Sequence, residues 1–472
     1  MAERIRLSDM LLSLPVEKSI TDARINIRNQ LEKSSKCLVV IDDDPTGTQT
    51  VYGVTLYTDW SVEQLRQAIK SGEPVFYIST NSRSLNKEQA KKLNYQLACN
   101  LSMASRMENK EIILASRSDS TLRGHFPYEV ETLMSGLNKK FDGIILAYAL
   151  FEGGRYTIND VQWVSQGEVL VSAEQTEFAK DPDFSYKHGN LKLWIEEKTG
   201  GLIKADDVCS ISIEMIREEG PDAICEKLTQ VSKGTVVIVN AACYHDLEIF
   251  VLGLLEAESR GKRFIYRCAA SFVKVRGGFL DKGFLNYEEL KGKESAGLII
   301  VGSYVDKTTQ QLNYLFQSGI ATGIEIQTNN LLNSNTHDAE IQRISNEANN
   351  KLTEGKLVAI YTSRLRVSCK EDDSLNIGRT IMSSLCEIVK KIKIKPGFLI
   401  TKGGITSIEI ARLGLNANHA FVLGQVANCV PVWRLGSESK WPGIPYVVFP
   451  GNVGDDKTLY EVAITLKNKR SG

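Results

Sequence analysis

Short runs of consecutive apolar, mostly β-branched residues alternate along the chain with stretches whose apolar positions recur every three to four residues. The runs Cys37–Asp42, Val75–Ser79, Ile112–Ser116, Gly143–Tyr148, Val236–Asn240 and Phe264–Arg267 are predicted as strands; their continuous hydrophobicity is that of strands covered on both faces. Ser61–Ile69, Lys87–Met107 and Pro127–Asn138 carry the helical period between them. Strand–helix alternation of this kind predicts a parallel sheet with crossover helices, whose ligands bind at the carboxyl ends of the strands.

The pattern breaks between Phe151 and Gly201 into polar, aromatic and glycine-rich sequence, read here as an inserted lid or wall. A second α/β unit starts near Gly297, with strands Leu298–Val301, Lys356–Tyr361, Phe398–Thr401 and Tyr446–Phe449 and helices near Lys307–Phe316, Asp338–Lys351 and Leu375–Ile392. The charged, turn-rich stretch Asp281–Ser295 is the natural boundary. At 472 residues the chain exceeds the roughly 250–300 at which single cores stop growing. The expected architecture is two α/β domains with mainly parallel sheets, residues 1–285 (excursion about 151–201) and 296–472, with the active site in the cleft between them.

Charge and composition remove several function classes. Lys+Arg and Asp+Glu both number 57, so no net field serves as a footprint for nucleic acid or an anionic membrane. The longest apolar runs fall far short of the roughly 20 residues that cross a bilayer, and Met1–Ile20 is too charged for a signal peptide. Nine scattered cysteines without a Cys-x-x-Cys pair read as free thiols in a reducing compartment. A cytoplasmic protein acting on small molecules is expected; homo-oligomer formation stays open.

The candidate chemistry gathers at strand ends. Asp42-Asp43-Asp44-Pro45-Thr46-Gly47 follows the first apolar run, Ser79-Thr80-Asn81-Ser82-Arg83-Ser84 the second, and Ser116-Arg117-Ser118-Asp119-Ser120-Thr121-Leu122-Arg123-Gly124 the third. Strand-end carboxylates can take a proton from a hydroxyl or hold Mg²⁺. Arg83, Arg117 and Arg123 offer planar forks matched to carboxylate or phosphate. Three such clusters at successive strand ends converge on a polar, anionic ligand. The bland reading of each is helix capping and surface ion pairing.

In the second unit, Thr401-Lys402-Gly403-Gly404-Ile405-Thr406 and Phe449-Pro450-Gly451-Asn452-Val453-Gly454 each lie between a strand and a helix, and Gly302-Ser303 and Thr362-Ser363-Arg364 follow other strands. Glycine-lined turns at helix starts present N–H groups to phosphate. Neither G-x-x-x-x-G-K-[ST] nor G-x-G-x-x-G occurs, which disfavours Walker-type and dinucleotide readings. The five histidines form no metal-binding pair, and only His125 lies within a suspected site. Trp433 and Trp441 read as core or rim residues.

These residues resemble the four-carbon acid sugar kinase family. Asp43-Asp44-Pro45-Thr46-Gly47 is similar to the family's opening motif, Asn81-Ser82-Arg83 to its Ser-Arg turn, and Asp119 to Gly124 to its most recognisable stretch. Tyr266-Arg267 with Ala269 to Phe272 resembles the segment closing the first domain, and Gly302-Ser303, Gly403-Gly404 and Pro450-Gly451-Asn452 with Gly454 its nucleotide-binding turns. The likeness runs from about residue 37 to about residue 465. It implies an N-terminal domain for a sugar acid, a C-terminal domain for ATP, and phosphorylation of threonate, erythronate or their oxo forms. On that reading Asp44 or Asp43 accepts the hydroxyl proton, with Asp119 orienting hydroxyls or sharing that role. Arg83, Arg117 or Arg123 clamps the carboxylate, with Ser82 and Thr46 also on the substrate side. Ser303, Thr362, Ser363, Gly403, Gly404, Thr406, Gly451, Asn452 and Gly454 hold ATP with Mg²⁺. The usual Gly-Gly-Glu-Thr is Gly-Gly-Ile405-Thr406 here, so metal ligands stay unassigned, and departures at His125 and Thr48-Gln49-Thr50 leave the acid open. A sugar-acid or nucleotide sensor without catalysis, and an NAD-dependent sugar-acid oxidoreductase, are the alternatives.

Overall fold

A computed structural model describes residues 4–290, 296–363 and 371–467. Arg364, Cys369 and the end of the Asp281–Ser295 boundary therefore lie outside the described residues. The chain divides into two compact units, Met1–Thr50 with Asp59–Asp281, and Val51–Thr58 with Lys282–Gly472.

The first unit is built on seven parallel strands in the order Cys209–Ile211, Thr235–Val239, Gly143–Ala147, Phe264–Cys268, Glu111–Arg117, Lys36–Asp42 and Val75–Ser79. Six of these are the expected apolar runs. Their side chains are buried from Cys37 to Asp42 and from Val75 to Ser79, as a sheet covered on both faces requires. The helix Lys87–Met107 starts where the Asn86 side chain accepts the Gln89 N–H at 2.9 Å. It packs on Tyr128–Leu137 at Gly136, where a Cβ would lie 2.6 Å from that of Ala98.

The excursion is more regular than its composition suggested. Arg155–Ile158, Val161–Gln166 and Val169–Ser172 form an antiparallel sheet completed by Ile5–Arg6. Asn159 and Asp160, both left-handed at φ 53° and 60°, make the two-residue turn between the first two strands. An Asn-Asp pair at a hairpin turn is a readable signal, and the irregular segment expected from composition is corrected accordingly.

The second unit has five parallel strands, Pro445–Phe449, Phe398–Lys402, Gly297–Val301, Leu357–Thr362 and Ala321–Ile326. Three antiparallel strands extend it beyond Pro445–Phe449: Val430–Leu435, His419–Ala427 and, from early in the sequence, Val54–Tyr57. Its core runs through Ile299, Val301, Phe398, Ile400, Val447 and Phe449. Trp433 is fully buried and stacks on Tyr446, and Trp441 is buried as well, both as core residues. The eight cysteines among the described residues are free, and no described helix is long and apolar enough to cross a membrane.

Candidate functional site

In the first unit the three predicted clusters follow three strands that lie side by side, Val75–Ser79, Lys36–Asp42 and Glu111–Arg117. Strand pairing alone therefore brings Asp43, Asp44, Ser82, Arg83 and Asp119 together. The Asp44 carboxylate receives the Thr46 N–H at 2.7 Å and the Thr46 hydroxyl at 2.5 Å, and pairs with Arg83. A second Arg83 nitrogen stands 3.5 Å from Asp119 Oδ1. Asp119 Oδ2 accepts from Arg123 Nε at 2.8 Å and from the Thr121 hydroxyl. Burial opposes ionisation of Asp119, but Arg83 and Arg123 outweigh it and hold the carboxyl well below the ordinary range.

Asp43 is held differently. Its Oδ2 takes the Ser118 hydroxyl, while its buried Oδ1 has no hydrogen-bond partner among the described residues, the Arg83 guanidinium standing 4.0 Å away. An unpartnered carboxylate oxygen at a strand end is unusual in a folded protein and is free to accept a hydrogen bond. Ser82 is buried, its hydroxyl accepting from Thr80 and its carbonyl 3.1 Å from His125 Nε2.

Arg117 stands apart from the other predicted guanidiniums. It is buried against Asp42, with Nη1 at 3.2 Å from Oδ1. Burial pushes the Asp42 carboxyl up to about 7 even with Arg117 beside it. The same Oδ1 accepts the Asp44 N–H at 3.1 Å, so this pair braces the turn from behind.

Arg267, at the end of the neighbouring Phe264–Cys268 strand, has no exposed surface. Its Nε pairs with Glu129, and both terminal nitrogens lack hydrogen-bond partners among the described residues. A Cβ on Gly124, whose φ is +125°, would come within 2.9 Å of Arg267 Nη2 and 3.3 Å of Asp43 Oδ2. Sequence reading placed Arg267 in a motif without giving it a role. Its place inside a continuous apolar run, in a sheet covered on both faces, is the signal that the charge is buried.

The excursion supports the Asp119–Gly124 loop from the side. Gln162 Nε2 donates to the Ser120 carbonyl at 2.8 Å, Tyr186 OH to the Thr121 carbonyl at 2.8 Å, and Arg123 lies over the Phe178 ring and near Asp181. It is a wall against this loop.

In the second unit Gly302, Gly403 and Pro450 follow three adjacent strands in the order Gly297–Val301, Phe398–Lys402, Pro445–Phe449. The glycines are needed for contact: a Cβ on Gly302 would lie 2.3 Å from Thr406 Oγ1, and one on Gly451 would lie 2.8 Å from Ser303 Oγ. Gly403 adopts φ +117° at the start of the Gly404–Glu409 helix. Gly454 is left-handed too, while Asn452 is exposed. Thr362 and Ser363 follow the next strand out; Thr362 Oγ1 is buried without a partner among the described residues, and Ser363 hydrogen-bonds Thr328 at 2.6 Å. Lys402, unassigned by the sequence reading, is fully buried between the two glycine loops. Burial and the nearby Lys307 push its amine down to about 6.

Comparison with known proteins separates the same two halves. Residues 38–276 match the family described as sugar-binding N-terminal domain, and 298–459 the one described as nucleotide-binding C-terminal domain. A D-erythronate kinase from Heliobacterium modesticaldum is 26% identical over 439 residues, covering 88% of this chain and 90% of that protein. Two crystal structures share the fold at 16% identity. A putative tRNA synthase from Salmonella typhimurium LT2 has TM-score 0.67, with 91% of this chain and 98% of that one covered. Haemophilus influenzae protein HI1011, of the DUF1537 family, has TM-score 0.60, with 91% and 100% covered.

Proposed function

The chain belongs to the four-carbon acid sugar kinase family, and from that premise we propose that it transfers the γ-phosphate of ATP to a hydroxyl of a small sugar acid, a four-carbon aldonate or oxo-aldonate of the erythronate and threonate class. The observation that carries the reading is the buried, unpartnered Oδ1 of Asp43 beside Arg83 and Asp119 in the sugar-binding half. Asp43 takes the proton of the attacking hydroxyl. Asp44 and Asp119 hold Arg83 between them, so that the guanidinium meets the substrate carboxylate in one orientation. Arg123, half-exposed, is the second cation on that side, and Arg117 with Asp42 braces the turn rather than touching substrate.

ATP would lie on the glycine loops at 302–303, 403–406 and 451–454, whose close backbone packing suits phosphate oxygens. Ile405 is exposed at the position where the family's usual motif carries a carboxylate, so Mg²⁺ would arrive with the triphosphate and would supply neutralisation of its negative charge. Transfer requires the γ-phosphate and the acceptor hydroxyl to meet in line with water excluded.

A coupled ADP-release screen over C4 and C5 aldonic and oxo-aldonic acids, with the phosphate position read by NMR, tests this. Acid-dependent ADP release is expected with at least one four-carbon acid. ATP hydrolysis indifferent to every acid on the panel would favour a sensor instead.

A further inference from the structure

The loop from Pro450 to Asp455 is held from beneath by three buried polar side chains. Lys402 Nζ donates to the carbonyls of Pro450 at 2.5 Å and Gly451 at 3.2 Å. The Thr308 hydroxyl shares its one proton between the Gly451 carbonyl and Ser303 Oγ, each at 3.0 Å. Gln311 Nε2 donates to the carbonyls of Val453 at 3.0 Å and Asp455 at 2.7 Å. All three side chains belong to residues with no exposed surface.

In a trans peptide the C=O of one residue and the N–H of the next point opposite ways. Drawing the carbonyls of Pro450, Gly451 and Val453 inward therefore turns the N–H groups of Gly451, Asn452 and Gly454 outward. Those three N–H groups have no hydrogen-bond partner among the described residues. The match between pinned carbonyls and free amides is residue for residue, and three free amides on one short loop form a concavity suited to an anion. Lys402 alone holds two of the three carbonyls. It does so from the strand that leads into the Gly403–Gly404 loop, so one side chain couples both loops. Burial favours its neutral amine, whose two N–H bonds match its two carbonyl acceptors.

We infer that Lys402 is a positioning residue of the nucleotide site, fixing the Pro450–Gly454 loop so that its free N–H groups meet a polyphosphate. This rests on the nucleotide-binding reading of the second unit and deepens it. Lys402 does not touch the ligand; it acts through the loop.

The test is calorimetric titration of the full chain with ATP and with adenosine, which lacks phosphates, for the wild type, Lys402→Met and Thr308→Val. Lys402→Met should lose about tenfold or more in ATP affinity, and Thr308→Val about threefold, from the hydrogen bonds removed. Adenosine affinity should stay within about twofold, because a loop-positioning loss acts through the phosphates. Unchanged ATP affinity in Lys402→Met, or ATP and adenosine falling together, overturns the inference. If Lys402→Met does not fold, Thr308→Val decides on the same terms. A wild type that binds neither ligand removes the nucleotide reading itself, a result distinct from a wild type that binds ATP and a variant that binds it equally well.

Discussion

Gly47 lies so close to the carboxylate of Asp42 that a Cβ at position 47 would sit 1.5 Å from Asp42 Oδ2. Asp42 cannot yield, because its Oδ1 is held by the Asp44 N–H and by Arg117. Gly47→Ala should therefore behave as an overpacked core, losing about 2–3 kcal/mol or more and pushing the Asp43–Asp44 turn out of place. Thermal unfolding and acid-dependent turnover are the two readouts. A variant that keeps both wild-type melting and wild-type turnover would mean that Asp42 is free to move.

Asp43 and Asp44 differ in what already occupies them. Asp44 is saturated by Arg83 and by two donors from Thr46, whereas Asp43 keeps one oxygen open. A general base needs a free lone pair directed at its substrate. Asp43→Asn should lower kcat by about 10²–10⁴. Asp44→Asn should act chiefly through Arg83, raising the KM for the acid with a smaller loss in kcat. Steady-state kinetics on the acid found by the screen decide this, and a deeper kcat loss in Asp44→Asn would exchange the two roles.

Ten of the twelve parallel strands were legible because their apolar runs are uninterrupted, and so were the clusters that follow them at Asp43, Arg83, Asp119, Gly403 and Gly451; the outermost strands Cys209–Ile211 and Ala321–Ile326, partly exposed and interrupted by polar residues, were not. Harder to read were the charges that finish those same strands. Lys402 looks like a turn residue between Thr401 and Gly403, yet strand parity places it on the face of Phe398 and Ile400, both core residues. Asp42 ends its strand and Arg267 is followed there only by the buried Cys268, and burial at such positions depends on which loops cover the sheet edge. The hairpin of His419–Ala427 and Val430–Leu435 turns at Asn428-Cys429, with Cys429 left-handed at φ 58°. A glycine would have announced that turn; cysteine did not.

Tyr186 ties the excursion to the Asp119–Gly124 loop through its hydroxyl, which donates to the carbonyls of Thr121 at 2.8 Å and Ala173 at 3.3 Å. Tyr186→Phe keeps the ring and leaves the Thr121 carbonyl short of a donor, while the Ala173 carbonyl keeps the Thr176 N–H at 3.1 Å and the Thr176 hydroxyl at 2.6 Å; the change is worth about 1–2 kcal/mol. Because Thr121 also donates to Asp119, the loosened loop should raise the KM for the acid while kcat stays near wild type. Equal KM values would confine the excursion to a stabilising role.

Lys402 should leave a signature in the pH dependence of stability. Its amine is pushed down to about 6 in the folded chain from an ordinary 10.5, by burial first and by Lys307 second. Between those values the unfolded chain binds a proton that the folded chain does not, so this residue's contribution to stability grows as pH rises through the window. It is lost as pH falls from 10.5 toward 6 and changes no further below that. The slope is roughly 1 kcal/mol for each pH unit. Lys402→Met removes the titrating group, so its stability relative to wild type should be highest near pH 6 and fall steadily toward pH 9. Denaturant unfolding of both proteins at several pH values measures the difference. Parallel curves would mean that the amine stays protonated in the fold, with the carbonyls of Pro450 and Gly451 sufficient to carry its charge.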